Sequence, residues 1–206
     1  MRVGAHLRSG LRTAIPLARE TGAEVVQLFI SNPRAWSGPR LETAQAFGAE
    51  WREAAIGPLF VHAPYLVNIA SPNPEFLSKS VELCRRSVAA CGVLEAGGFV
   101  VHSGAGGEGE VADALDEPEG VEALFVELRE FELAQRLRLI HMNDAKFERG
   151  SKRDRHEIVG EGAIGLEGFR AIVAQPEVRE LSVVVETPSS GERRRLELET
   201  IRSLAT

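Results

Sequence analysis

The stretch His141–Gly165, HMNDAKFERGSKRDRHEIVGEGAIG, separates two kinds of sequence. An apolar run of strand character, Leu137–Met142, ends in it, and hydrophobic periodicity returns at Leu166. A polar loop this long in a compact domain is functional or disordered. It holds two of the five histidines, His141 and His156, and sets Asp154 two positions before His156. In an extended loop, side chains at i and i+2 converge on one point. Imidazole and carboxylate together form a borderline-soft ligand pair suited to zinc or manganese. The alternative is a solvated loop in which Asp154, Arg155 and His156 make a local ion pair.

Outward from this stretch, strand and helix alternate along the whole chain. Strand candidates are Arg2–His6, Val25–Ile30, Leu59–His62, Phe99–His102, Leu137–Met142 and Leu181–Glu186. The run VVQLFI at Val25–Ile30 is continuously β-rich, as in a strand buried on both faces. Helical spacing covers Leu11–Thr21, Leu41–Ala54, Glu75–Cys91, about Pro118–Gln135 and Leu166–Ala174. Gly97 and Gly98 are expected to close the third of these helices. The tail from Glu192 to Leu204 is amphipathic and offers Leu196, Leu198, Ile201 and Leu204 for packing. This order predicts an α/β fold with a parallel sheet and helical crossovers.

The strand ends carry the functional signal. The first candidate ends at His6, the third at His62, the fourth at His102, the fifth at His141 and the sixth at Glu186. In a parallel α/β fold the C-terminal strand ends share one face, and in a barrel they surround one point, where active sites lie. Four of five histidines in equivalent positions, with a carboxylate, point to a metal cluster.

Composition sets the bounds. A chain of 206 residues, 44% hydrophobic and 26% charged, is that of an ordinary globular protein in one domain, 1–206. The net charge of −6 argues against binding nucleic acid by overall charge alone. It leaves room for a local site made positive by bound metal. No apolar run reaches membrane-spanning length and MRVGAHLRSG lacks the apolar core of a secretory signal, so the expectation is a cytoplasmic protein without membrane contact. Cys84 and Cys91 lie seven apart on one helical face and read as buried apolar residues.

Six segments in order resemble the endonuclease IV family of metal-dependent apurinic/apyrimidinic endonucleases: VGAHLRSGL at Val3, LFISNPRAW at Leu28, HAPYLVNIASP at His62, VVHSGAG at Val100, the His141 stretch, and VVVETP at Val183. The resemblance implies a TIM-barrel-like (β/α) fold, with six of eight parallel strands recognisable here. It implies three zinc ions and hydrolysis of the phosphodiester 5′ of an abasic site in double-stranded DNA, leaving a 3′-hydroxyl, as in base-excision repair. Manganese is the other metal the ligands suit. By matching motif, His62 and His102 would hold the first zinc, His141 and Glu186 the second, and Asp154 and His156 the third. No catalytic group is implied beyond these ligands. Arg34, Tyr65 and Leu66 match the family's DNA-intercalating residues, and Lys146, Lys152, Arg153 and Arg155 are candidates for phosphate contacts. His6, Asn143, Asp144 and Glu161 take supporting roles. The intact family pattern is monomeric.

The sequence also departs from that pattern. Two strands expected between VVHSGAG and HMNDAK, one ending in Glu-Asn-Thr and one in Asp-Thr-x-His, have no counterpart. GGEGE at Gly106 runs directly into VADALDEPEGVEAL at Val111, as if two strand-helix units were deleted near 108–111. Each metal would keep two protein ligands, with Glu108, Glu110 and Asp144 as the carboxylates at hand to complete a site. The competing expectations are a catalytically impaired relative that still binds abasic or distorted DNA, and a metal-dependent sugar isomerase or epimerase.

Overall fold

The structure, a computed structural model, describes residues 1–102, 117–147 and 155–205 and divides into two units. One unit comprises His6–Arg19 and Glu24–Gly109, the other Met1–Ala5, Glu20–Ala23 and Glu110–Thr206. The GGEGE junction, Glu108, Glu110, Lys152, Arg153 and Asp154 lie outside the described residues.

The first unit carries most of helix α1 (Leu11–Thr21) and strands β2 (Val26–Leu28), β3 (Leu59–His62) and β4 (Gly98–Val100), with helices α2 (Leu41–Ala54) and α3 (Pro74–Leu94) between the strands. The strands pair in parallel, Val26 opposite Leu59 and His62 opposite Val100. Ala63, Val67 and Leu83 form a core patch against Trp36, Cys84 and Phe99. Helix α3 starts where Asn73 Oδ1 accepts the Phe76 N–H at 3.1 Å and Pro74 takes the first turn, a site where its missing donor costs nothing. It runs beyond the expected Cys91. Its C-cap is Glu95 in the left-handed region, φ 58°, while Gly97 leads into β4 and Gly98 begins it. Strand β4 stops at Val100, so His102 stands beyond the strand rather than in it.

The second unit places β8 (Ser182–Val185) between β1 (Arg2–Leu7) and β5 (Leu139–His141). Arg2 to Ala5 of β1 pair in parallel with Ser182 to Val185. Val183, Val184 and Val185 are fully buried, which is why three successive positions of the LSVVVE run are apolar. Helices α4 (Pro118–Glu130), α5 (Gly165–Ala174) and α6 (Gly191–Leu204) complete this unit. Its core joins Val121, Phe125 and Val178 to Met1, Leu137, Ile140 and Ile172. Helix α4 ends short of the expected Gln135, followed by a 3-10 turn at Ala134–Arg136. The polar stretch, read from sequence as one long loop, contains a two-residue antiparallel ladder of β6 (Asp144–Ala145) and β7 (His156–Glu157).

On α6, Leu198 and Ile201 are buried as expected, but Leu196 is 50% exposed, and Arg194 and Glu197 face inward instead. Positions 194, 197, 198 and 201 fall on one helical stripe, from which 196 is turned away. No helix among the described residues is long and apolar enough to cross a membrane.

Candidate metal centre

In the first unit, His62 closes β3 with its ring fixed by its own neighbour, Nδ1 lying 2.7 Å from the Ala63 carbonyl. A carbonyl oxygen only accepts, so Nδ1 carries the proton and Nε2 of the neutral ring presents a lone pair. That Nε2 lies 3.1 Å from Nε2 of His102. Around a tetrahedral ion with bonds of about 2.0–2.1 Å, ligand atoms stand roughly 3.3 Å apart, so the two imidazoles fit as partners on one divalent metal. The backing carbonyl is the kind of outer contact that orients a metal-binding histidine.

Behind this pair, the Gln27 side-chain amide donates to Nδ1 of the buried His6 at 2.8 Å. This puts the ring proton of neutral His6 on Nε2. Phe29 is the hub of the cluster, edge-on to His6 at 4.7 Å, His62 at 5.1 Å and Tyr65 at 4.9 Å. Tyr65 is 58% exposed and its backbone N–H donates to the Pro33 carbonyl at 3.0 Å. The HAPYL and NPRAW loops are thereby tied together. Arg34 is exposed, its N–H held by the Asn32 side chain at 2.9 Å, and Leu66 is half-buried.

In the second unit, His141 at the end of β5 and His156 at the start of β7 face one carboxylate oxygen. Glu186 Oε2 lies 3.5 Å from His141 Nδ1 and 3.7 Å from His156 Nε2. Glu186 stands one residue past β8 and is buried at 8% exposure, which makes an unneutralised carboxylate costly there. Its backbone N–H donates to Asn143 Oδ1 at 2.6 Å, so the Asn143 side chain fixes the backbone of Glu186. Two imidazoles and a carboxylate at these separations suit a borderline divalent metal.

Asp144 has a different use from the one the ligand shortage suggested. It is 1% exposed and its carboxylate accepts five backbone N–H groups, from Ala145, Gly160, Gly162, Ile164 and Gly165, at 2.8 to 3.3 Å. Its acceptor capacity is spent on the backbone, so it does not replace a lost metal ligand. The cage explains the glycines of GEGAIG. A Cβ at Gly162 would stand 2.5 Å from Asp144 Oδ1 and from the Ala145 carbonyl, and Gly160 sits at φ 86°.

Residues 15–127 and 119–205 match the family model described as a xylose isomerase-like TIM barrel. A probable endonuclease 4 of Methanoculleus marisnigri is 30% identical, with 93% of this chain and 94% of the relative covered. The chain belongs to the endonuclease IV family. Another relative, a probable endonuclease 4 of Sulfurihydrogenibium, is 28% identical over 276 residues, covering 98% of each chain. Among solved structures, endonuclease IV from Thermus thermophilus shares the fold with a TM-score of 0.82 at 22% identity, over 99% of this chain and 98% of that one. The Sulfurihydrogenibium alignment runs over 276 residues against the 206 of this chain, so that endonuclease IV relative carries residues with no counterpart here.

Within each unit of this endonuclease IV-like chain, side chains far apart in sequence meet: His62 with His102, and His141 with His156 and Glu186. The basic candidates are less concentrated. Lys146 lies 3.5 Å from Glu157, Arg155 is exposed, and Glu161 pairs at the surface with Arg193 at 2.7 Å. Phe29 and Gln27 escaped sequence reading because a residue in the middle of an apolar run carries no sign that it backs a site.

Proposed function

We propose that this chain is a zinc-dependent endonuclease of DNA base-excision repair that hydrolyses the phosphodiester 5′ of an abasic site and leaves a 3′-hydroxyl. The observation that carries the proposal is the convergence of His141 and His156 on one buried Glu186 oxygen. A ligand set of this kind supports metal-assisted hydrolysis of a phosphodiester. His62 and His102 would hold one ion, His141 and Glu186 a second, and His156 with Asp154 a third, manganese being the alternative metal. A divalent metal, when bound, supplies a nucleophile from water at neutral pH and neutralises charge on the phosphoryl oxygens.

The chain's own residues do the rest. Asn143 and the Ala63 carbonyl orient ligands, and Lys146, Arg153 and Arg155 make sequence-independent contacts to phosphates. Arg34, Tyr65 and Leu66 fill the gap in a duplex whose abasic nucleotide is turned out. The exposed Tyr65 ring, buttressed by Phe29, supports that role. Two free thiols, one of them buried, fit a reducing cytoplasm.

We further propose that the chain is a single domain lacking two strand-helix units near 108–111. The excess length of the relatives supports this, as does the partial exposure of β4 and β5, each of which ends its unit's run of paired strands among the described residues. The same shortfall favours a second reading, an impaired relative that binds abasic duplex without cutting it.

The deciding experiment is incision of a duplex oligonucleotide with one abasic site, with and without a chelator, by the native chain and by His141→Ala. Chelator-sensitive nicking that His141→Ala abolishes, with its circular dichroism unchanged, is the expected result. Full activity in His141→Ala would overturn the assignment. Preferential binding of the abasic duplex without nicking would select the second reading.

A further inference from the structure

A charged pair on α6 is buried behind Glu186 and is not part of any ligand set. Arg194 is 6% exposed and Glu197 3% exposed. The Arg194 guanidinium donates to the carbonyls of Val185 at 3.1 Å, Thr187 at 2.8 Å and Ser189 at 2.9 Å, and to the Ser189 hydroxyl at 2.7 Å. These carbonyls alternate along the chain on both sides of Glu186. Glu197 takes the other side of the same turn, accepting the hydroxyls of Thr187 at 2.8 Å and of Ser189. Its second oxygen accepts the Val159 N–H at 3.3 Å, three residues beyond His156.

We propose that Arg194 and Glu197 are positioning residues for the metal site, setting the Glu186 carboxylate against His156. This rests on the reading of Glu186 as a metal ligand. Three physical points carry it. First, burying two charges costs desolvation that well-packed apolar residues would avoid, so a pair kept here is explained by the geometry it imposes. Second, its bonds converge on the residues flanking one functional side chain and on the chain just after another. Third, the planar guanidinium fork reaches three carbonyls and a hydroxyl at once, which the single ammonium of lysine does not. With Asn143 holding the Glu186 N–H, this carboxylate is fixed from both sides of its backbone.

The test uses cobalt(II) as the metal probe on the full chain, read by affinity in competition with a chromophoric chelator and by the visible absorption of the bound ion. The variants are Thr187→Val, Glu197→Gln and Arg194→Lys, with Glu186→Gln as the reference. Thr187→Val is nearly isosteric and removes the hydroxyl that donates to Glu197 and lies 3.2 Å from the Ser189 hydroxyl, so it decides the matter where a substitution of the buried pair fails to fold. Expected are native circular dichroism, cobalt affinity weakened about 10- to 100-fold at the site that Glu186→Gln abolishes, and a changed visible spectrum. A folded Thr187→Val with affinity within about twofold of native and an unchanged spectrum, while Glu186→Gln has lost its site, overturns the positioning role. If Glu186→Gln itself binds cobalt as the native chain does, Glu186 is not a ligand, and both the underlying reading and the positioning role fall.

Discussion

Asp144 shows how one side chain can organise a functional loop without touching the chemistry. Its carboxylate gathers five N–H groups from a chain segment up to 21 positions away and is almost wholly shielded from water. An amide in the same place would turn an NH2 group toward backbone donors and strand at least one of them. We therefore expect Asp144→Asn to lower the unfolding free energy by about 3 kcal/mol, the cost of leaving buried donors unpaired. Urea unfolding followed by circular dichroism measures this, and a loss below about 1 kcal/mol would show that the cage is not a structural anchor. Part of this was legible in the sequence. The polar stretch, its histidines and its glycines stand out, and His141 and His156 do meet at Glu186. What was hidden is that Asp144 serves backbone rather than metal, because sequence does not say which N–H groups a loop turns inward. Arg194 and Glu197 were hidden for a related reason. Charged residues on an amphipathic tail read as its wet face until the stripe they occupy is seen to be buried.

At the scale of elements, the alternation of strand and helix and the parallel pairing were readable because each strand is a short, mostly apolar run and each crossover a helical pattern. Boundaries were read less well where a residue adopted a conformation its type disfavours. Helix α3 continues past Cys91 to a left-handed glutamate, although two glycines follow it. This extension has a measurable consequence. Cys91 lies within the helix on its buried side, and burial pushes its thiol up to about 11. The folded chain therefore holds a proton that the unfolded chain has lost between about pH 8.5, the ordinary thiol value, and about 11. Because the native state binds more protons in that window, stability falls as pH rises through it. Urea midpoints taken from pH 8 to 11 should drop more steeply for the native chain than for Cys91→Ala. Parallel profiles for the two would mean that the thiol titrates alike in both states.

For the whole molecule, the side chains proposed as metal ligands would link folding to metal binding. Glu186 and His62 are buried, and taking ionisable groups out of water costs free energy that a bound metal would offset. A metal that binds these groups only in the folded chain raises the unfolding free energy by mass action, about 2.7 kcal/mol at a free concentration of 100 times its Kd. For a chain of this size that corresponds to a rise in Tm of roughly 5–10 °C. Thermal unfolding of the native chain should therefore shift upward with free zinc and downward with chelator. His141→Ala and His62→Ala should each remove a part of the shift, because the two histidines belong to different proposed ligand groups, one in each unit. If zinc leaves the Tm unchanged while the chain is folded, the histidines at the strand ends do not form a metal site. If His62→Ala removes nothing and His141→Ala removes everything, the metal rests on the His141, His156 and Glu186 group alone. The extra residues of the longer relatives would then be needed to make the His62 and His102 pair a working ligand set.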